Sequence, residues 1–91
     1  SSKRRPALVL THDLEDDIVL SRITSKPRES DTDARLMDWK ISKLLFPSTV
    51  CVAKLATLSN KLVEGKMGEL TEADKREVLK SLISFINSLR K

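Results

Sequence analysis

Apolar and polar positions change rhythm several times along the chain, and each change marks an element. Residues 7–10 form an unbroken apolar run, the pattern of a central strand buried on both faces. Such a strand needs a neighbour on each side to pair its backbone groups. Residues 11–17 read as an acidic turn. Residues 18–24 alternate loosely and are rich in branched side chains, which predicts a second strand pairing back on the first. Residues 26–32 form a polar loop containing Pro27, and residues 33–37 suit a short strand. From 39 to 45 the apolar positions Trp39, Ile41, Leu44 and Leu45 fall at helical spacing and stop before Pro47. Residues 48–58, β-branched and apolar, are the strongest strand in the pattern. A helical turn is expected at 60–63, after which Gly65 and Gly68 break regular structure.

The C-terminal segment is the clearest helix. Thr71 followed by Asp74 resembles a capping box with Asp in place of Glu. Val78, Leu79, Leu82, Ile83, Phe85, Ile86 and Leu89 make one apolar stripe, expected to meet a core or a second copy. Glu72 and Asp74 near the helix start, and Arg90 and Lys91 near its end, suit the helix dipole. Short strands followed by a terminal helix predict a small, mainly antiparallel β domain.

At 91 residues the chain suits one domain, and a domain of this size is marginal alone, so oligomerisation is expected. Seventeen Lys and Arg against thirteen Asp and Glu give a net charge of +4, which favours a polyanionic partner, nucleic acid or an acidic protein segment. The single cysteine, Cys51, rules out an intrachain disulfide and reads as a small apolar strand residue. No apolar run is long enough for a membrane span and no signal peptide is visible, so no membrane association and a cytoplasmic location are the default expectations.

No phosphate-binding loop, Cys/His metal cluster or nucleophile elbow is present, so no cofactor and no metal are expected. His12 reads as a surface residue of an acidic turn, and Asp13, Glu15, Asp16 and Asp17 as solvated carboxylates whose spacing fits no calcium loop. Trp39 reads as a core or hinge anchor, with base stacking as the alternative. Two features stand out. Lys3, Arg4 and Arg5 precede Pro6 and the first strand, where guanidinium groups can hold phosphates or simply form a basic loop. Thr24, Ser25 and Lys26 close the second strand, where hydroxyls and an ammonium can contact RNA or form a turn.

Taken together, KRRPALVL (3–10), DIVLSRITS (17–25), LLFPSTVCVAKLATLSNKL (44–62) and KMGELTEADKREVLKSLISFI (66–86) resemble, in order, the motifs of the MazF/PemK toxins. The resemblance implies a small SH3-like or CcdB-like antiparallel β-barrel with short helical turns and a C-terminal α-helix, assembled as a homodimer. It implies a sequence-selective endoribonuclease that cuts single-stranded mRNA without a metal, by attack of the ribose 2′-hydroxyl, and that is held in check by an acidic antitoxin. The family's Arg before Pro falls on Arg5 and its Thr after Ile on Thr24, as charge stabiliser and hydroxyl donor. Lys3 and Arg4 become backbone-contact candidates, with Ser25 and Lys26 beside them. Arg5 stays protonated at ordinary pH, so the general base is left open. The family opens with a strand and loop ahead of the Arg-Pro motif, and the chain is expected to be a single toxin domain (1–91) lacking that first strand.

Two other functions share the fold. An inactive relative would bind antitoxin or nucleic acid without cutting, and the presence of both Arg5 and Thr24 favours the enzyme over it. A gyrase-poisoning toxin would lack the Arg-Pro and Ile-Thr motifs.

Overall fold

The computed structural model describes residues 5–90, and the side chains of these apart from residues 12–14. Lys3, Arg4 and the side chains of His12 and Asp13 therefore lie outside the described residues. Within them the strands are β1 (Ala7–Leu14), β2 (Asp17–Thr24), β3 (Asp33–Leu36) and β4 (Ser48–Ser59), followed by a 3-10 turn at Asn60–Leu62 and the helix α1 (Glu72–Ser88). The strands form one antiparallel sheet in the order β1-β2-β4-β3, which curls into a half-barrel with α1 packed on β3 and β4.

The acidic segment is not all turn. β1 runs on to Leu14, and the hairpin turns on Glu15 and Asp16 alone, with Leu14 opposite Asp17 and Glu15 at φ 59°. The first strand is not buried on both faces either. Ala7 and Val9 are exposed while Leu8 and Leu10 are half-buried, and among the described residues only β2 pairs with it. Among the described residues β1 therefore has one partly covered and one open face.

β4 is one strand with two environments. Its first five residues are buried and the next six exposed. At the junction its pairing with β2 jumps from Arg22–Cys51 to Ser21–Leu55, so three residues of β4 bulge out. The buried Ser21 hydroxyl donates to the Val52 carbonyl, 3.1 Å away, and pairs an acceptor the bulge would orphan. Before the bulge β4 builds the core with β3 and α1. After it, β4 continues as a ribbon with the β1–β2 hairpin, whose turn is tied down by the Asn60 N–H donating to the Asp16 carbonyl.

The core joins Ile23, Ala34, Leu36, Leu44, Val50, Val52 and Val78, flanked by Leu8, Trp39, Leu70 and Leu82. Cys51 is buried on the opposite side of β4 from Val50 and Val52, as strand alternation requires. Trp39 is a half-buried anchor against this core.

Residues 39–45 do not make the expected helix. They form a single turn, closed by Leu44 N–H to the Trp39 carbonyl and Lys43 N–H to the Lys40 carbonyl, with Lys43 at φ 66°. That pairing is a Schellman stop with Lys where Gly is commonest. Seven residues are too few to sustain a helix, and seating Leu44 in the core fixes the chain reversal instead.

The α1 start is capped as expected: Thr71 Oγ1 accepts from the Asp74 N–H. The reciprocal half of a capping box is replaced. The buried Asp74 carboxylate accepts from the Met37 and Asp38 N–H groups at 2.9 and 3.0 Å, and the Thr71 hydroxyl donates to Asp38 at 2.7 Å. The helix start is thereby clasped to the end of β3.

Candidate functional site

β1 and β2 pair in a register that sets Leu8 against Ser21 and Ala7 against Arg22. The Ile23 N–H then donates to the Pro6 carbonyl at 3.4 Å, so the same register continues past the strand end. Carried one residue further, beyond the strand, that register would set Arg5 against Thr24. Next along, Thr24 is paired with Thr49 and Thr49 with Arg35. Thr24, Thr49 and Arg35 therefore form one row across β2, β4 and β3, on one face of the sheet, since directly opposed residues share a face.

Local chemistry orients the centre of this row. Proline at position 6 has no N–H to donate, yet its carbonyl still accepts from β2, which holds Arg5 at the strand mouth without a full ladder. Arg5 is exposed and Thr24 half-buried. Thr24 Oγ1 accepts from the Lys26 N–H at 3.1 Å, a local turn that fixes the hydroxyl and leaves its own proton to donate elsewhere. Thr49 is buried between the two ends.

A hollow opens beside the row, lined by Ser25, Lys26, Arg28, Arg35 and Thr49 among others. Its roof is the 25–32 loop, held by Asp33. That carboxylate, whose side chain is 3% exposed, accepts from the Ser30 hydroxyl at 2.9 Å and from Arg28 Nε at 3.4 Å. Among the described residues, no ion pair involves Lys26 or Arg35. Away from this face, Lys66 donates to Glu69, and that hydrogen bond, then the Lys66 charge, holds the Glu69 carboxyl below its ordinary value.

Of the residues singled out in the sequence, Arg5 lies just before the Pro6 carbonyl that β2 engages, and Thr24 closes β2, with Ser25 and Lys26 on the adjoining turn. Lys3 and Arg4 lie outside the described residues. Sequence reading did not single out Arg35, which the register sets in the same row as Thr24. Its position two residues into a four-residue strand gave no signal, and only the register with Thr49 reveals it. Among the described residues, no three His, Cys, Asp or Glu side chains gather into a metal-binding group, and no helix is long and apolar enough to cross a membrane.

The chain belongs to the family of PemK-like, MazF-like toxins of type II toxin–antitoxin systems, which it matches over residues 1–86. Among solved structures it is similar in fold to the Mycobacterium tuberculosis toxin MazF-mt6, at 18% identity and a TM-score of 0.80, covering 91% of this chain and 86% of that one. It is also similar to a structure described as an Mtb toxin, at 19% identity and a TM-score of 0.77, covering 88% and 90%. A third similar structure is an endoribonuclease in complex with its cognate antitoxin from mycobacterial species, at 18% identity and a TM-score of 0.76, covering 91% and 81%. No curated protein sequence matches the chain.

Proposed function

We propose that this chain is a toxin endoribonuclease that cuts single-stranded mRNA in the cytoplasm at a short sequence, without a metal, and is inhibited by an acidic antitoxin. The observation that supports the reading most is the β1–β2 register, which runs on to the Pro6 carbonyl and, carried one residue further, would set Arg5 against Thr24 at an exposed strand mouth. Membership of the toxin family supports it, as does the fold shared with an endoribonuclease described in complex with its antitoxin.

The chemistry follows from the two groups. The ribose 2′-oxygen attacks the adjacent phosphorus, and the bond from phosphorus to the 5′-oxygen of the next nucleotide breaks. The products are a 2′,3′-cyclic phosphate and a free 5′-hydroxyl, the 2′-proton having left and the 5′-oxygen having gained one. Extra negative charge gathers on the phosphorane oxygens between these events. The Arg5 guanidinium offers paired N–H donors to that charge, and the Thr24 hydroxyl offers a third. The Pro6 carbonyl bond holds the backbone next to Arg5, and the Lys26 N–H holds the Thr24 hydroxyl.

Incubation of the protein with a long RNA, with and without EDTA, tests the reading through the product ends. Cyclic phosphate and 5′-hydroxyl termini, formed equally in chelator, are expected. Loss of cutting in EDTA with recovery in Mg²⁺, or 5′-phosphate ends, would overturn the metal-free mechanism. Binding without cutting would favour the inactive relative.

A further inference from the structure

We propose that Arg35 is a substrate-binding residue that, with Lys26, holds an RNA phosphate next to the one being cut. The inference rests on the endoribonuclease reading for which phosphate is cut, but not for the binding itself.

Four observations lead to it. Arg35 stands at the far end of the same cross-strand row as Thr24, two strands away through Thr49. At the ordinary spacing of strands this is roughly 10 Å, a separation that an extended strand of RNA and a flexible arginine together span. Second, Arg35 is exposed and lines the same hollow as Ser25 and Lys26, so its charge faces the space the RNA would enter from Thr24. Third, Arg35 and Lys26 carry charges that no ion pair among the described residues neutralises. Arg28, the third cation of the hollow, instead donates to Asp33, which draws the loop against the sheet. Fourth, Arg35 has no packing duty. Its neighbours in the strand, Ala34 and Leu36, are each 2% exposed and build the core, while Arg35 points the other way.

A cation with no ion-pair partner among the described residues, on an open face, beside hydroxyls and a second such cation, is what a phosphodiester recognises. Glu29 also lines the hollow, but it is an exposed residue of the loop, and Asp33 is already engaged by Ser30 and Arg28. The row thus runs from Thr24, close to the expected cleavage site, to Arg35. It predicts that RNA crosses the strands from β2 towards β3.

The test uses two probes. Binding is measured with a fluorescein-labelled, mixed-sequence single strand of 2′-O-methyl RNA, which cannot be cut because its 2′-oxygens are blocked. Cleavage is measured on a long unmodified RNA. Arg35→Ala is expected to weaken binding of the methylated strand roughly ten-fold, the scale of one charge-assisted contact, and to lower the salt slope of binding by about one. In cleavage it should raise KM by a similar factor and leave kcat little changed. Arg35→Lys should restore most of the affinity, and both variants should unfold at the wild-type temperature. An Arg35→Ala protein with wild-type affinity and salt slope would overturn the proposal. If the wild-type protein binds the methylated strand in an Arg35-dependent way but cuts no RNA, the binding site stands and the endoribonuclease reading fails. If it neither binds nor cuts, both fall.

Discussion

At the scale of single residues the account turns on what Arg5 and Thr24 can each donate. Thr24 uses its oxygen lone pair on the Lys26 N–H, so its one proton is available to a phosphorane oxygen. Thr24→Ala is therefore expected to slow cleavage on the order of 10²-fold, at the milder end of losing one preorganised donor. Thr24→Ser should keep most of the rate, because it keeps the oxygen and the proton. Single-turnover cleavage beside a thermal unfolding curve checks both. Unfolding of Thr24→Ala would instead make the residue structural. Arg5 and Thr24 were singled out through the family resemblance, Arg5 before Pro6 and Thr24 after Ile23, since on residue pattern alone they read equally as a basic loop and a turn. Arg35 was not, since a lone arginine in a short strand looks like any solvated charge until its neighbours across the sheet are known. The partners of Asp74 were equally hidden. Helix-start logic placed its N–H correctly against Thr71, but the carboxylate reaches 36 and 37 residues back along the chain.

At the scale of elements, that carboxylate joins the helix to the sheet. Asp74 is buried and satisfies two backbone N–H groups at the end of β3. Asp74→Ala strands both and removes two charge-assisted bonds, so a loss of about 2–4 kcal/mol is expected in urea unfolding, with the slope unchanged. A loss below about 0.5 kcal/mol would show that the clasp is dispensable. Gly68 serves the same junction from the other side. A Cβ there would meet the Ser42 carbonyl oxygen at 2.4 Å, so the linker into α1 lies directly on the turn that seats Leu44. Gly68→Ala should be destabilising despite the residue's exposure, read as a lower unfolding temperature. Strands β2, β3 and β4 and helix α1 followed from periodicity and caps, because each reports its own local pattern. The one-turn stop at 39–44 and the bulge in β4 did not. Both are settled by tertiary demands, the seating of Leu44 and the division of β4 between core and ribbon, which a local pattern does not record.

At the scale of the whole molecule, the fold leaves apolar surface open. The α1 stripe divides in two: Val78 and Leu82 meet the core, while Leu79, Ile83 and Ile86 are at least half-exposed at i, i+4, i+7 spacing. Met37, Ile41, Leu45 and Phe46 add to the exposed apolar surface. We propose that a second copy covers part of this surface, giving a homodimer that presents two basic faces to one RNA strand. Light scattering at micromolar concentration should give the mass of a dimer, and Ile83→Glu should shift it towards monomer. A wild-type monomer at that concentration would contradict both the dimer and a shared RNA groove. The central claim, that Arg5 and Thr24 together cut RNA, is tested most directly by the single-turnover cleavage rate of Arg5→Ala beside wild type. The account predicts a fall of about 10²–10³-fold, with unchanged unfolding temperature and retained binding of antitoxin. An Arg5→Ala protein that cuts at the wild-type rate would contradict it.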